Sequence, residues 1–182
     1  MLDPEAEQAY QKRQSILLAQ DHWKLAGKLA ASDGKEGGSG SFSWHRIGGV
    51  TRMSFRGALG KGAWELESTA GQAVLQFADG REFRASSIAE LVTAHMRAKV
   101  PVDALSWWVL GLARPNEWEQ RELDQEGRIT YLSQSGWNVE FSNYRLEKDV
   151  WLPGKLVARN QQNSVKLAIS EWTLAQEAAA FD

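Results

Sequence analysis

The sequence predicts a mainly β fold, an antiparallel meander forming a sheet or barrel, led by one helix and interrupted by a helical segment. Two observations predict it. From Trp23 onward apolar residues recur at every second position in short runs, and Gly-rich or Asp-Gly turns separate these runs at roughly ten-residue spacing. Between 87 and 112 the apolar period lengthens to that of a helix, and at 116 the alternation resumes.

The elements follow in chain order. Residues 3–20 read as a helix: Asp3 suits the N-cap, Pro4 the first turn, and Glu5 and Glu7 complement the helix dipole. Its apolar stripe is thin, carried by Tyr10 and Leu17 with Ile16 and Leu18 beside them, so it is expected to pack on a surface. Strands are expected across 22–86. Trp23, Leu25, Gly27 and Leu29 alternate with Lys24, Ala26 and Lys28, and 32–40 reads as a Gly/Ser-rich turn. Phe42 and Trp44 mark the next strand, and Thr51, Met53 and Phe55 share one face of the one after. A Gly-rich link spans 57–62. Trp64 and Leu66 continue as a strand, then 73–77, with Asp79 and Gly80 as a hairpin signal before 82–85.

Ser87 and Glu90 form a capping-box pattern before Ile88, Leu91, Val92 and Met96 on one helical face. A second helix is expected in 100–112, with Pro101 barring continuity, Asp103 as N-cap and Gly111 as a left-handed end. Leu105, Trp108, Val109 and Leu112 make its stripe, and Trp107 and Leu110 are apolar outside it. A helix apolar on more than one side is either fully buried or covers an apolar cavity. Strands are then expected at 118–123, 129–133, 137–142, 155–159 and 165–169, with an Ala-rich, frayed or weakly helical tail at 175–182.

Composition narrows the function. With 182 residues, 43% hydrophobic and 24% charged, the chain is expected to form one domain, 1–182. Its 21 basic and 23 acidic residues leave a net charge of −2, which gives no general affinity for nucleic acid. There is no Cys, hence no disulfide, thiol nucleophile or Cys-bound zinc. His22, His45 and His95 stand apart without metal-ligand spacing. No nucleophile elbow, phosphate loop or dinucleotide fingerprint occurs. The acidic run of Glu117, Glu119, Glu122, Asp124 and Glu126 reads as a solvated face. No catalytic residues, metal or cofactor are expected. Nine Trp is high, and Trp often lines cavities and interfaces.

Two local features bear on a membrane. Between Gly37 and Trp64 the chain has Arg46, Arg52, Arg56 and Lys61 and no acidic residue. Within it, Leu59 sits between Ala58 and Gly60, an apolar residue in what should be an exposed turn.

A set of residues in fixed order resembles the LolB family, outer-membrane receptors that accept lipoproteins from the periplasmic carrier LolA. They are Leu105, Trp108, Leu110, Gly111 and Leu112 preceded by Val100, Pro101 and Val102; Gly57, Ala58, Leu59 and Gly60 followed by Trp64, Glu65 and Leu66; Trp137, Asn138 and Val139; Leu152 and Pro153; and Val165, Lys166 and Leu167 with Trp172. They span about 20–172. Ala113 stands where the family often has Pro, and the lipidated Cys and leader of the family are absent from this chain.

The resemblance implies an unclosed antiparallel β-barrel of about 10–11 strands whose hydrophobic cavity is covered by short helices, with the lid at 87–112 and strands at 22–86 and 116–172. It implies lipoprotein acyl chains as cargo, with Phe55, Trp64, Leu66, Trp137, Val139, Phe141, Leu167 and Ile169 as wall candidates and Trp107, Trp108 and Leu110 as the lid's contribution. Strand register decides which face points inward. It further implies that Leu59, with Ala58 and Gly60, forms a membrane-insertion loop, with Arg52, Arg56 and Lys61 as headgroup contacts. The expected partners are a LolA-type carrier, lipoprotein acyl chains and outer-membrane phospholipid; the expected state is a monomer on the periplasmic face of the outer membrane, lipid-anchored in the full-length protein. A soluble periplasmic lipid or fatty-acid carrier on a similar open barrel is the alternative reading, and an enzyme or a structural β domain with a filled core a third.

Overall fold

The computed structural model of the chain describes residues 2–60, 62–96 and 98–174. The leading helix α1 covers Pro4–Leu18, and the side chain of Asp3 caps it by accepting from Glu5 N at 3.0 Å. Strands β1 (His22–Ser32), β2 (Gly37–Ile47), β3 (Val50–Gly57), β4 (Trp64–Thr69), β5 (Gln72–Phe77) and β6 (Glu82–Ala85) follow as antiparallel hairpins. Helices α2 (Ile88–His95) and α3 (Val102–Trp108) interrupt them, before β7 (Glu119–Leu123), β8 (Ile129–Gln134) and β9 (Trp137–Ser142). A small hairpin, β10 (Arg145–Glu147) and β11 (Val150–Leu152), precedes β12 (Lys155–Arg159) and β13 (Ser164–Leu174).

Eleven strands form one antiparallel sheet in the order β6-β5-β4-β3-β2-β1-β13-β12-β9-β8-β7. The long β1–β13 ladder joins the two halves of the chain. Strands β6 and β7 are the edges and do not pair, so the sheet is an open one rather than a closed barrel. The inner face is set by alternation: Trp23 and Leu25, Phe42 and Trp44, Met53, Leu66 and Leu75 are buried, and their sequence neighbours are not.

Three expectations are corrected. The turn between β1 and β2 is 33–36, not 32–40, because Gly37 to Gly40 pair in register with Ser32 to Leu29 and extend the ladder. Gly40 sits so close to β3 that a Cβ would lie 2.2 Å from Arg56 O, so this glycine serves close strand approach rather than a bend. Helix α3 starts at Val102, so Asp103 lies in its first turn and caps nothing. The β10–β11 hairpin was not expected; its turn residues Lys148 and Asp149 both have positive φ, 46° and 66°, a conformation that hairpins usually give to Asn-Gly or Asp-Gly. The expected helical tail at 175–182 lies outside the described residues.

Candidate functional site

Under the lid the sheet leaves an apolar cavity of about 380 Å³. Its floor is the inner face of β1–β4 and β13: Leu29, Phe42, Trp44, Met53, Phe55, Trp64, Leu66 and Leu167. The ladder aligns Phe42, Phe55 and Trp64 in one row. There Trp64 stacks on Phe55 at 5.7 Å and meets Phe42 edge-on at 6.3 Å. Its roof is Val92 and Met96 of α2, then Ala98 and Val100 of the linker, then Val102 and Leu105 of α3. Ser87 caps α2 by accepting from Glu90 N at 3.2 Å, while Glu90 accepts from the Ser86 hydroxyl and N–H. The other end of α2 is held by Lys99, whose ammonium donates to Thr93 O at 2.7 Å and Met96 O at 3.1 Å; Lys99 N donates to Asn163 Oδ1 at 3.0 Å, tying the linker to the β12–β13 turn. The lining residues Glu36, Gly37 and Gly38 are exposed and mark the mouth.

The wall candidates divide. Phe55, Trp64, Leu66 and Leu167 line the cavity; Trp137, Val139, Phe141 and Ile169 are buried but lie off its wall. Trp107, Trp108 and Leu110 do not line it either. The reason is that the chain following α3 turns into the β7–β9 half and fills it. Trp108 is fully buried and its indole N–H donates to Gln134 Oε1 at 3.0 Å; that amide also accepts from Arg114 N and donates to Arg114 O. The second apolar side of the 100–112 segment therefore meets protein, and its cavity face is Val102 and Leu105. Sequence reasoning misses Leu29, Phe42, Trp44 and Met53 as wall residues, although they share strand parity with Phe55 and Leu66.

The segment 110–113 is pinned from outside by α1. Arg13, 5% exposed, donates to Leu110 O at 2.9 Å, Trp151 O at 3.3 Å and Gly111 O. Tyr10 OH accepts from Ala113 N at 3.1 Å, and Tyr144 OH donates to Ile129 O at 2.7 Å. Burial raises the pKa of both phenols, keeping them protonated, and lowers that of Arg13, which remains a cation. Gly111 ends the helical region with φ +70°, as expected, and a Cβ there would lie 2.9 Å from Tyr144 Oη and 3.1 Å from Arg13 Nη1. Gly111→Ala is accordingly expected to cost about 1–3 kcal/mol, read as a lower urea midpoint with unchanged slope.

Leu59 projects from the β3–β4 connection at 98% exposure, in a left-handed conformation (φ 57°, ψ 26°) between Ala58 and Gly60. Strand pairing puts this loop at the same end of the sheet as the mouth, since Gly57 at its base pairs with Gly40 of β2 and the β1–β2 turn closes that end. Of the cationic candidates, Arg56 is exposed beside the loop, Arg52 is paired with Glu67 at 2.9 Å, and Lys61 lies outside the described residues. Among the described residues no cluster of three or more His, Asp or Glu could hold a metal ion.

Comparison with known proteins is consistent across sequence and structure. The family model described as outer membrane lipoprotein LolB matches residues 21–172. The outer-membrane lipoprotein LolB of Pseudomonas fluorescens is 32% identical over 156 residues, covering 86% of this chain and 76% of that protein. That of Pseudomonas aeruginosa is 30% identical over 165 residues, 91% and 80% of the two chains. In structure, a LolA superfamily protein of Nitrosomonas europaea superposes with a TM-score of 0.60 at 10% identity, over 96% of this chain and 95% of that one, a likeness of fold.

Proposed function

We infer the function from one premise: this chain belongs to the LolB family of outer membrane lipoproteins, whose model spans 21–172. We propose that it receives lipoproteins from a LolA-type periplasmic carrier by taking their acyl chains into the cavity, and passes them to the phospholipid of the outer membrane. It does so as a monomer on the periplasmic face, lipid-anchored in the full-length protein, with no covalent chemistry, metal or cofactor. The observation that carries the reading is the joint placement of an apolar cavity and an exposed leucine at one end of one sheet. A cavity of about 380 Å³ falls in the ~300–1,000 Å³ range of ligand pockets. Each methylene removed from water contributes about 0.8 kcal/mol, so acyl chains move between two cavities without nucleotide, but leave only for another apolar medium. Leu59 brings the bilayer to the mouth.

The experiment is transfer of a purified acylated lipoprotein from the carrier to this protein, then to vesicles. A soluble lipid carrier would bind free fatty acid and fail the first step. Gly38→Trp tests the cavity. Position 38 lines the mouth, and nothing lies within 4 Å of where a Cβ would stand, so an indole there fits the fold and obstructs entry. Binding of a fluorescent acyl probe is expected to fall at least tenfold, of the order of 1.4 kcal/mol, with unchanged thermal stability. Undiminished binding would place the lipid elsewhere.

A further inference from the structure

We propose that the outer wall of β12, β13, β1, β2 and β3, on the half nearest the mouth, is a docking face for anionic phospholipid headgroups. The ladder pairs assemble it. Lys155 pairs with Ala168, Ala168 with Lys28, Lys28 with Ser41 and Ser41 with Arg56, one row across all five strands. Residues directly opposite in an antiparallel pair face the same side, and this side is outward because Leu156, Leu167 and Leu29 alternate to the buried or half-buried inner one. Alternate strands lie about 10 Å apart, so Lys155, Lys28 and Arg56 repeat at that interval. Toward the mouth the next rows add Lys166 and Arg159.

These rows hold five cations on four of the five strands and no carboxylate; the acids that border them are Glu140 on β9 opposite Val157, Glu171 on β13 opposite Ala26 and Glu65 on β4 opposite Ser54. Lys28, Arg56, Arg159 and Lys166 are exposed and Lys155 half-buried. None of the five is engaged by a carboxylate or hydrogen-bond acceptor among the described residues, whereas Arg52, Arg81, Arg84, Arg121 and Arg128 all are. A chain of net charge −2 thus concentrates unpaired positive charge on one wall. Between the cations stand Ser39, Ser41, Ala30 and Ala168, with no aromatic anchor of the kind on which protein interfaces centre. A cationic face without such an anchor suits mobile anionic headgroups, and Arg56 continues it to within three residues of exposed Leu59. The inference rests on the proposed delivery to a bilayer: the leucine inserts and the wall lies on the surface.

The test is co-sedimentation of the protein with phosphatidylcholine vesicles, with and without phosphatidylglycerol, at low and physiological salt. Lys28→Gln/Lys155→Gln/Lys166→Gln is expected to weaken binding to the phosphatidylglycerol vesicles about 100-fold, at about fivefold for each charge, and to reduce its salt dependence, with Arg56 and Arg159 left in place. Lys12→Gln/Lys24→Gln/Arg46→Gln, with the same change in net charge outside these rows, is expected to bind nearly as the parent does. Equal losses in the two variants would reduce the effect to net charge and overturn the proposal. So would full vesicle binding by the wall variant with loss of acceptance from the carrier, which would make the wall a protein-docking face. Acyl-probe binding, measured on all three proteins, reports separately on the cavity: its absence throughout sinks the proposed function, and its presence without a wall effect sinks this inference alone.

Discussion

Replacing Leu59 with Glu is expected to leave folding and acceptance of acyl chains intact and to reduce delivery into vesicles at least tenfold. Leu59 is 98% exposed and touches no core, so its removal costs the fold nothing. Transfer of a leucine side chain out of water is worth about 1.5–3 kcal/mol, roughly 10- to 150-fold, and a carboxylate reverses the sign of the contact. A second variant separates function from conformation. Leu59 has φ 57°, a left-handed backbone that strains a side chain with a Cβ and suits glycine. Leu59→Gly should therefore be no less stable than the parent, or slightly more so, and still deliver poorly. A leucine held where glycine would be easier indicates a side chain kept for what it contacts outside the protein. Loss of acceptance in Leu59→Glu, with delivery of already bound cargo unaltered, would transfer the residue to the cavity's chemistry and end the insertion reading.

Arg13→Met is expected to destabilise the protein by about 3 kcal/mol or more, read by denaturant unfolding. The guanidinium donates to three backbone carbonyls, on Leu110, Gly111 and Trp151, and hydrogen bonds from a charged donor contribute about 1.5–3 kcal/mol each. Methionine replaces the volume but leaves those buried acceptors empty, while recovering part of the cost of burying a charge. Against a total stability of roughly 5–15 kcal/mol the loss is large. Because Arg13 holds the segment that follows α3, loosening it should also speed release of a bound acyl probe. Arg13→Lys should restore only part of both properties, since one ammonium cannot span acceptors that the planar guanidinium reaches together. An unchanged unfolding midpoint in Arg13→Met would show that solvent, not this residue, satisfies those carbonyls.

The neighbourhood of Arg13 also shows where sequence reading stops. An arginine on a helix with a thin apolar stripe reads as solvated surface, yet it is 95% buried, because long-range packing brings residues about a hundred positions away against it. Similarly, Trp107, Trp108 and Leu110 were legible as too apolar for a one-sided helix. Periodicity could not say whether the second side met lipid or protein, and the indole bond from Trp108 to Gln134, 26 residues on, assigns it to protein. The β10–β11 turn was illegible for a local reason: Lys148 and Asp149 adopt the positive φ angles for which glycine is the usual marker. The alternation in β1–β4 was legible, but not which of its two faces turns inward; the ladder pairs and the cavity lining assign Phe55, Trp64 and Leu66 to the inner one.

By itself, then, the sequence determined the strand meander, the helices inserted into it, the alternation along β1–β4 and the leucine in a glycine-rich turn, because each is written in neighbours within a few residues: a period of two, a period near 3.6, a cap, a turn. Only the tertiary structure decided which part of the concave surface stays empty, that the mouth and Leu59 share one end, and that Lys28, Arg56, Lys155, Arg159 and Lys166 form one wall. Those facts depend on register between strands distant in the chain, as in the pairing of Lys28 with Ala168, 140 residues on. A one-residue slip would turn every one of those side chains to the other face.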